Sequence, residues 1–453
     1  MIETNQLISG SVYRQLFRLG APMIVGFFFI TSYNFIDRIF VSRLGDIATA
    51  AIGMAFLVQL VIIALGSGIG IGINSFISRN LGAGEKDVAI DAALHAFLLA
   101  IVIGVVFASL GLLIQKPLFI FLGAEGLLLQ LITDYLTIIF LFTPITLLSM
   151  FSSGIFQGWG NTILPMIFMV IGTVLNILLD PILIFGLGPF PELGIKGAAL
   201  ASGTGRSIAL LITLFVLFGL KRPTQILFSK FRFSWKIIAG IFQVGFPSSL
   251  SQILTSIAMG FIFYILKPYG SDAKAAYTIV FTYEIVVFLP AIGVSQAITI
   301  LTGHNFGAGL LKRIKEIYHK GITLSFAMMA FTSIIIMTKP EMFAAVFAQS
   351  NQVLEITSTA LRITAVGFIF ISVYLCSIAS FQGLGLGKQY LIATIFRIFV
   401  LQVPFAFIGS LLFKLTGVWL GLMAVNILSS IILFGWFVYL YNKKIMTGQT
   451  QPL

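Results

Sequence analysis

Three acids qualify by their position deep inside apolar stretches of the chain: Asp37, Asp180 and Glu284. An ionisable side chain at membrane depth costs about 2.5–3.5 kcal/mol on insertion scales, so each of these positions is a candidate for chemistry. Asn176 precedes Asp180 by four residues, which puts the two on one helix face. Tyr135 and Ser202 add two hydroxyls that fall at a similar depth if the runs around them are helices. A carboxylic acid in such a layer takes up and releases a proton near neutral pH, because desolvation disfavours its charged form. Asp37, Asp180, the Asn176 amide, the Ser202 hydroxyl and a backbone carbonyl equally supply hard oxygen ligands for Na⁺. The structural alternative is that the acids only bond buried polar neighbours.

Other residues bear on the same layer. Arg38 follows Asp37 directly. Either it snorkels toward the headgroups, since adjacent helical residues point about 100° apart, or it pairs with Asp37 and opposes simple proton exchange. Glu284 either attracts a cationic substrate or pairs with Arg206, Arg362 or Arg397. Pro22, near the start of an apolar run, is a helix-start proline or a bending point, because its missing N–H and its ring loosen the backbone. His95, His304 and His319 show no metal-ligand spacing, and the single Cys376 excludes a disulfide framework.

The elements that must position these residues follow from composition. Of 453 residues, 58% are hydrophobic and 9% charged, against about a quarter charged in soluble domains. Apolar runs fall at 16–40, 48–77, 92–114, 127–152, 162–187, 194–219, 237–266, 273–302, 317–338, 353–380, 388–413 and 415–440. A spanning helix needs about 20 mostly apolar residues, so these are twelve transmembrane helices of an all-α integral membrane protein. Sixteen Lys and Arg lie in loops on the side of the termini and seven on the other. By the positive-inside rule both termini are cytoplasmic, in a multi-pass protein of the cell's inner (plasma) membrane. The net charge of +12 is spread through these loops rather than gathered on one module, so no nucleic-acid partner is expected, nor is a cleaved signal peptide.

The chain repeats itself at one register. Gly20 and Pro22 recur as Gly245 and Pro247, and Asn80-Leu81-Gly82-Ala83-Gly84 recurs as Asn305-Phe306-Gly307-Ala308-Gly309. Phe156-Gln157-Gly158 with Gly160 recurs as Phe381-Gln382-Gly383 with Gly385. Every pair is 225 apart (245 − 20). Two six-helix lobes, 1–220 and 237–453, are therefore expected around a cytoplasmic linker at 221–236. Six spans is an even number, so the lobes share an orientation and are related by an axis along the membrane normal. At that offset Asp37, Asn176, Asp180, Tyr135 and Ser202 face Ile262, Leu401, Phe405, Ala360 and Ile427, all apolar. The asymmetry argues for a site in the first lobe. Glu284 instead aligns with Gln59, which leaves both as possible substrate or coupling residues. The glycines Gly66, Gly68, Gly70 and Gly72 read as a small-residue stripe for close helix packing.

The repeated residues also carry a resemblance. Leu19-Gly20-Ala21-Pro22, Asn80-Leu81-Gly82-Ala83-Gly84, Gln157-Gly158 and Gly197-Ala198-Ala199, in this order over essentially the full length, resemble the MATE (multidrug and toxic compound extrusion) transporters. Asp37 and Asn176 with Asp180-Pro181 resemble the DinF-like branch. The resemblance implies two six-helix bundles around a cavity that opens alternately to either side. It implies a secondary antiporter in which inward H⁺ or Na⁺ drives export of amphipathic, cationic organic compounds, with Pro22 as a hinge linked to Asp37. A lipid-linked saccharide flippase of the same superfamily is the alternative. No enzyme activity, cofactor or ATP drive is expected, because neither a catalytic pair nor a Walker lysine accompanies the glycines. The expected partners are small organic molecules and membrane lipid, and the expected state is a monomer.

Overall fold

The structure, a computed structural model, describes residues 4–219 and 231–445. Every regular element among them is helical. A short α1 (Thr4–Ile8) leads into α2 (Val12–Ser42), α3 (Asp46–Gly82), α4 (Lys86–Phe121), α5 (Gly126–Gly158), α6 (Ile163–Phe185) and α7 (Ile195–Phe218). Then follow α8 (Trp235–Ile265), α9 (Gly270–Gly307), α10 (Leu311–Thr338), a short α11 (Pro340–Ala345) and α12 (Asn351–Gly383). The expected linker falls mainly on 220–230, outside the described residues.

The remainder is a continuous helical run of 57 residues, Gly387–Lys443. It comprises α13 (Gly387–Ile395), a π-helical segment (Phe396–Gln402) and α14 (Val403–Leu440), with a further π-helical turn at Tyr441–Ile445. At about 1.5 Å per residue such a run is far too long to cross a hydrocarbon core of about 30 Å once. It turns at Phe413 and Lys414, whose backbone is not helical. Lys414, with φ 53°, is the one non-glycine residue at positive φ among the described residues. The arms run antiparallel, since a Cβ on Gly409 would strike the Gly417 carbonyl and one on Gly421 the Phe405 carbonyl, pairs equidistant from Phe413. The break falls between the expected runs 388–413 and 415–440, and it brings eleven long apolar segments to twelve spans.

Large apolar side chains face outward: Leu113 is 74% exposed, Phe121 86% and Leu411 70%. Such surfaces belong in lipid, where the helical backbone satisfies its own polar groups.

The chain forms two compact units. The N unit comprises Val25–Ile77 and Glu85–Ser249; the C unit comprises the leading segment through Ile24, Ser78–Gly84 and the chain from Leu250. These units do not coincide with the sequence halves, because α2 and α8 each divide between them, after Ile24 and after Ser249. The two switch points are again 225 apart (249 − 24), and each lies two residues past a proline, Pro22 or Pro247. Proline removes one i to i−4 bond and so loosens the helix where it changes unit.

The N unit is built around Val41, Ala51, Phe119, Leu136, Phe140 and Ile184. Within it the glycine stripe of α3 packs on backbone: a Cβ on Gly72 would meet the Ile241 carbonyl, and one on Gly154 the Gly70 carbonyl. The C unit holds two apolar clusters, one around Leu16, Phe306, Tyr318 and Phe437, the other around Ile262, Phe368 and Trp419.

The repeat is visible in contacts. Gly158 faces Ile77 and Asn74 in the N unit, and Gly383 faces Thr302 and Thr299 in the C unit, each residue displaced by 225. Inside the C unit a Cβ on Gly82 would strike the His304 carbonyl, and one on Gly307 the Arg79 carbonyl. That exchange of partners is what a local two-fold produces.

Candidate functional site

Asp180 sits on α6 just before Pro181, and its side chain is fully buried. One turn earlier on the same face stands Asn176, 4% exposed. Helix α7 comes close to α6 because glycines line the seam: Gly205 stands against the Gly172 carbonyl and Gly197 against Leu183. This approach brings Ser202 onto Asn176. With its amide oriented to satisfy both ends, Asn176 donates to Asp180 Oδ2 (3.1 Å) and accepts from the Ser202 backbone N–H (2.9 Å) and hydroxyl (3.1 Å). The Ser202 proton being spent there, the Tyr33 hydroxyl must donate to Ser202 Oγ, at 2.8 Å. The result is a one-way chain from Tyr33 through Ser202 and Asn176 to the Asp180 carboxyl.

Asp37 lies one turn beyond Tyr33 on α2, with its Oδ1 buried. Its carboxyl acts electrostatically on Asp180 and on Tyr33. Repulsion between the buried Asp180 and the half-buried Asp37 is relieved by a proton or a metal cation. Arg38, whose pairing with Asp37 the sequence leaves open, lies outside the residues whose side chains are described.

Tyr135 is bonded to α3. Gln59 Nε2 on α3 donates to its hydroxyl (2.7 Å), and Asp37 and Arg206 act on it electrostatically. Arg206, one turn past Ser202 on α7, donates to Thr146 Oγ1 at 3.4 Å. Tyr33, Gln59, Tyr135, Ser202 and Arg206 line one cleft with about 30 Å³ of room, enough for one or two waters.

The five first-lobe residues expected from the sequence thus gather in the N unit, with Gln59 joining through Tyr135. Tyr33 and Arg206 complete the network. Tyr33 was not expected from the sequence, and its place one turn before Asp37 is the one signal for it there. Among the described residues no cluster of three His, Cys, Asp or Glu could hold a metal.

Glu284 lies in the C unit. Of its three possible partners, Arg206 donates to Thr146 Oγ1, and Arg362 pairs with Glu341 at 2.7 Å on an exposed surface. Among the described residues, Arg397 is the one that acts on Glu284 electrostatically. His95, wholly buried, is bonded to the Asp91 carbonyl (2.7 Å) through Nδ1 and accepts from the Ser234 N–H at Nε2 (2.8 Å). Cys376 is buried in the apolar core.

If the Asp180 chain transmits proton occupancy, Tyr33→Phe removes its first donor and keeps the ring. The expected result is a loss of about 0.5–1.5 kcal/mol of stability, read by thermal unfolding, with slower ion-driven efflux. Unchanged stability and rate in that variant would remove Tyr33 from the network.

Comparison with known proteins settles the family. The MatE family model matches residues 22–182 and 247–408, two copies whose starts are again 225 apart (247 − 22). The chain belongs to the MATE family. A FAD transporter of Shewanella oneidensis is 27% identical over 95% of both chains. The multidrug export protein MepA of Staphylococcus saprophyticus is 28% identical, covering 98% of this chain and 97% of its own. Among solved structures, an outward-facing multidrug resistance MATE transporter of the MOP superfamily superposes with a TM-score of 0.93 at 32% identity, covering 98% of each chain. A MOP superfamily transporter from Pyrococcus furiosus, described by the reverse polarity of its binding pocket, gives the same score and identity, over 98% of this chain and 99% of its own. This is accordingly a multi-pass membrane transporter with the twelve-helix MATE fold, and not an enzyme.

Proposed function

We propose that this MATE transporter exports amphipathic, mainly cationic organic compounds in exchange for an inward cation, and that the cation is bound by the N-unit acids. The carrying observation is the fully buried Asp180 at the end of a one-way hydrogen-bond chain, within electrostatic reach of Asp37. The name of the Staphylococcus relative, a multidrug export protein, supports the cargo class.

H⁺ is favoured over Na⁺ by how the oxygens are used. The Asn176 oxygen accepts two hydrogen bonds, and the Ser202 oxygen gives one and takes one. The Asn176 oxygen is thereby filled, Ser202 Oγ keeps one lone pair beside those of the carboxylates, and a proton, unlike Na⁺, needs no further ligands. Exchange requires that cation and cargo favour opposite openings of one two-state molecule. Pro22, two residues before α2 changes unit, is the hinge through which Asp37 occupancy reaches the rest of the helix. The protein works as a monomer in the plasma membrane with both termini cytoplasmic. The flippase alternative has less support, since the relatives named above are drug or flavin transporters.

The test is reconstituted efflux of a fluorescent organic cation under single gradients. A proton gradient without Na⁺ is expected to drive transport, and a Na⁺ gradient at equal pH is not. The reverse outcome would assign the acids to Na⁺.

The Shewanella relative suggests a second cargo class, flavin nucleotides. FAD accumulation against its own gradient in the same vesicles would support it.

A further inference from the structure

The C unit carries an intramembrane cation that the N-unit network does not involve. Arg397 stands on the π-helical segment Phe396–Gln402, a wide turn of the kind frequently found at functional sites. Its Nη2 donates to Asn426 Oδ1 at 2.7 Å, and its Cζ lies 4.8 Å from the Tyr374 ring centroid. Asn426 and Tyr374 are buried, 4% and 5% exposed, so the guanidinium is held in a fixed plane by two uncharged groups. Its Nε is buried and finds no acceptor among the described residues. Glu284 acts on Arg397 electrostatically, yet it is absent from the ion pairs found among the described residues, which join Lys196 to Asp134, Lys320 to Glu316 and Arg362 to Glu341. Both Arg397 and Glu284 keep part of their surface open.

The fold does not require this arrangement. At the repeat offset of 225, Arg397, Asn426 and Tyr374 correspond to Gly172, Ala201 and Ser149 in the first half, where α6 continues as a regular helix. A guanidinium oriented by neutral neighbours, with part of its surface open and its carboxylate held off, is built to accept a planar or tetrahedral anion.

We propose that the C unit contains an anion subsite in which Arg397, oriented by Asn426 and Tyr374, binds the carboxylate or phosphate of an amphipathic ligand in competition with Glu284. The cargo range then extends to amphipathic anions and zwitterions. This subsite is independent of the cation-exchange reading, and its test reads binding without any gradient.

The experiment is titration of the full-length protein, in phosphatidylcholine nanodiscs, with 1-naphthyl phosphate and with neutral 1-naphthol. Arg397→Gln is expected to weaken naphthyl phosphate at least tenfold and to leave naphthol unchanged. Glu284→Gln, which removes the competing charge, is expected to tighten the phosphate severalfold. A fold defect would not move the two variants in opposite directions. Adding phosphatidylglycerol separates the sources: weaker probe binding by wild type marks a lipid phosphate as the occupant, and unchanged binding marks a soluble anion. Equal phosphate binding by wild type and Arg397→Gln, no binding by wild type in either lipid, or parallel losses of phosphate and naphthol in both variants would overturn the proposal.

Discussion

Asp180→Asn is expected to reduce ion-driven efflux to the leak of empty vesicles while the protein stays folded and extractable. Asparagine keeps an oxygen to accept from Asn176 Nδ2 (3.1 Å), so the hydrogen-bond chain survives. What it cannot do is hold and release a proton. Shifting a two-state opening from 1:99 to 99:1 takes about 5.5 kcal/mol of differential binding, and a variant blind to the driving ion supplies none of it. Asp37→Asn should fail in the same way, because the two carboxyls act on one another. The double variant should be no worse than either single one, as for groups that work as a unit. Efflux unchanged in Asp180→Asn would reduce the site to Asp37 alone, and efflux unchanged in both would remove it.

The second large effect concerns the scaffold. Gly154→Leu places a side chain against the Gly70 carbonyl, where α3 and α5 touch backbone to backbone and no flexible group can yield. Overpacking of this kind costs about 1–3 kcal/mol. The expected readout is a clearly lower melting temperature in detergent, together with loss of transport. Gly53→Leu, also involving α3 but with open space around the new Cβ, is the control and should melt with wild type. Equal melting of all three would show that the helices part more easily than their contacts suggest.

Much of the site was legible in the sequence because acids inside apolar runs are rare, and because the 225 offset exposed which polar groups the second half does without. The i, i+4 spacing of Asn176 and Asp180 fixed their shared face before any helix was placed. Tyr33 escaped notice, since a tyrosine in an apolar run reads equally well as packing. The partner of Glu284 could not be chosen among three arginines, because rotational phase on one helix says nothing about which neighbour lies opposite. The division of α2 after Ile24 and of α8 after Ser249 was likewise hidden: hydropathy measures contact with lipid or core and does not distinguish one apolar neighbour from another. The turn at Lys414 was signalled by a single charge between two apolar runs.

Cargo binding in weakly buffered detergent solution, followed by a pH indicator, tests most directly whether the N-unit acids exchange a proton for cargo. Wild type should release protons on adding a fluorescent organic cation such as rhodamine 6G, and Asp37→Asn and Asp180→Asn should release none at equal cargo occupancy. Undiminished proton release from both variants would contradict it.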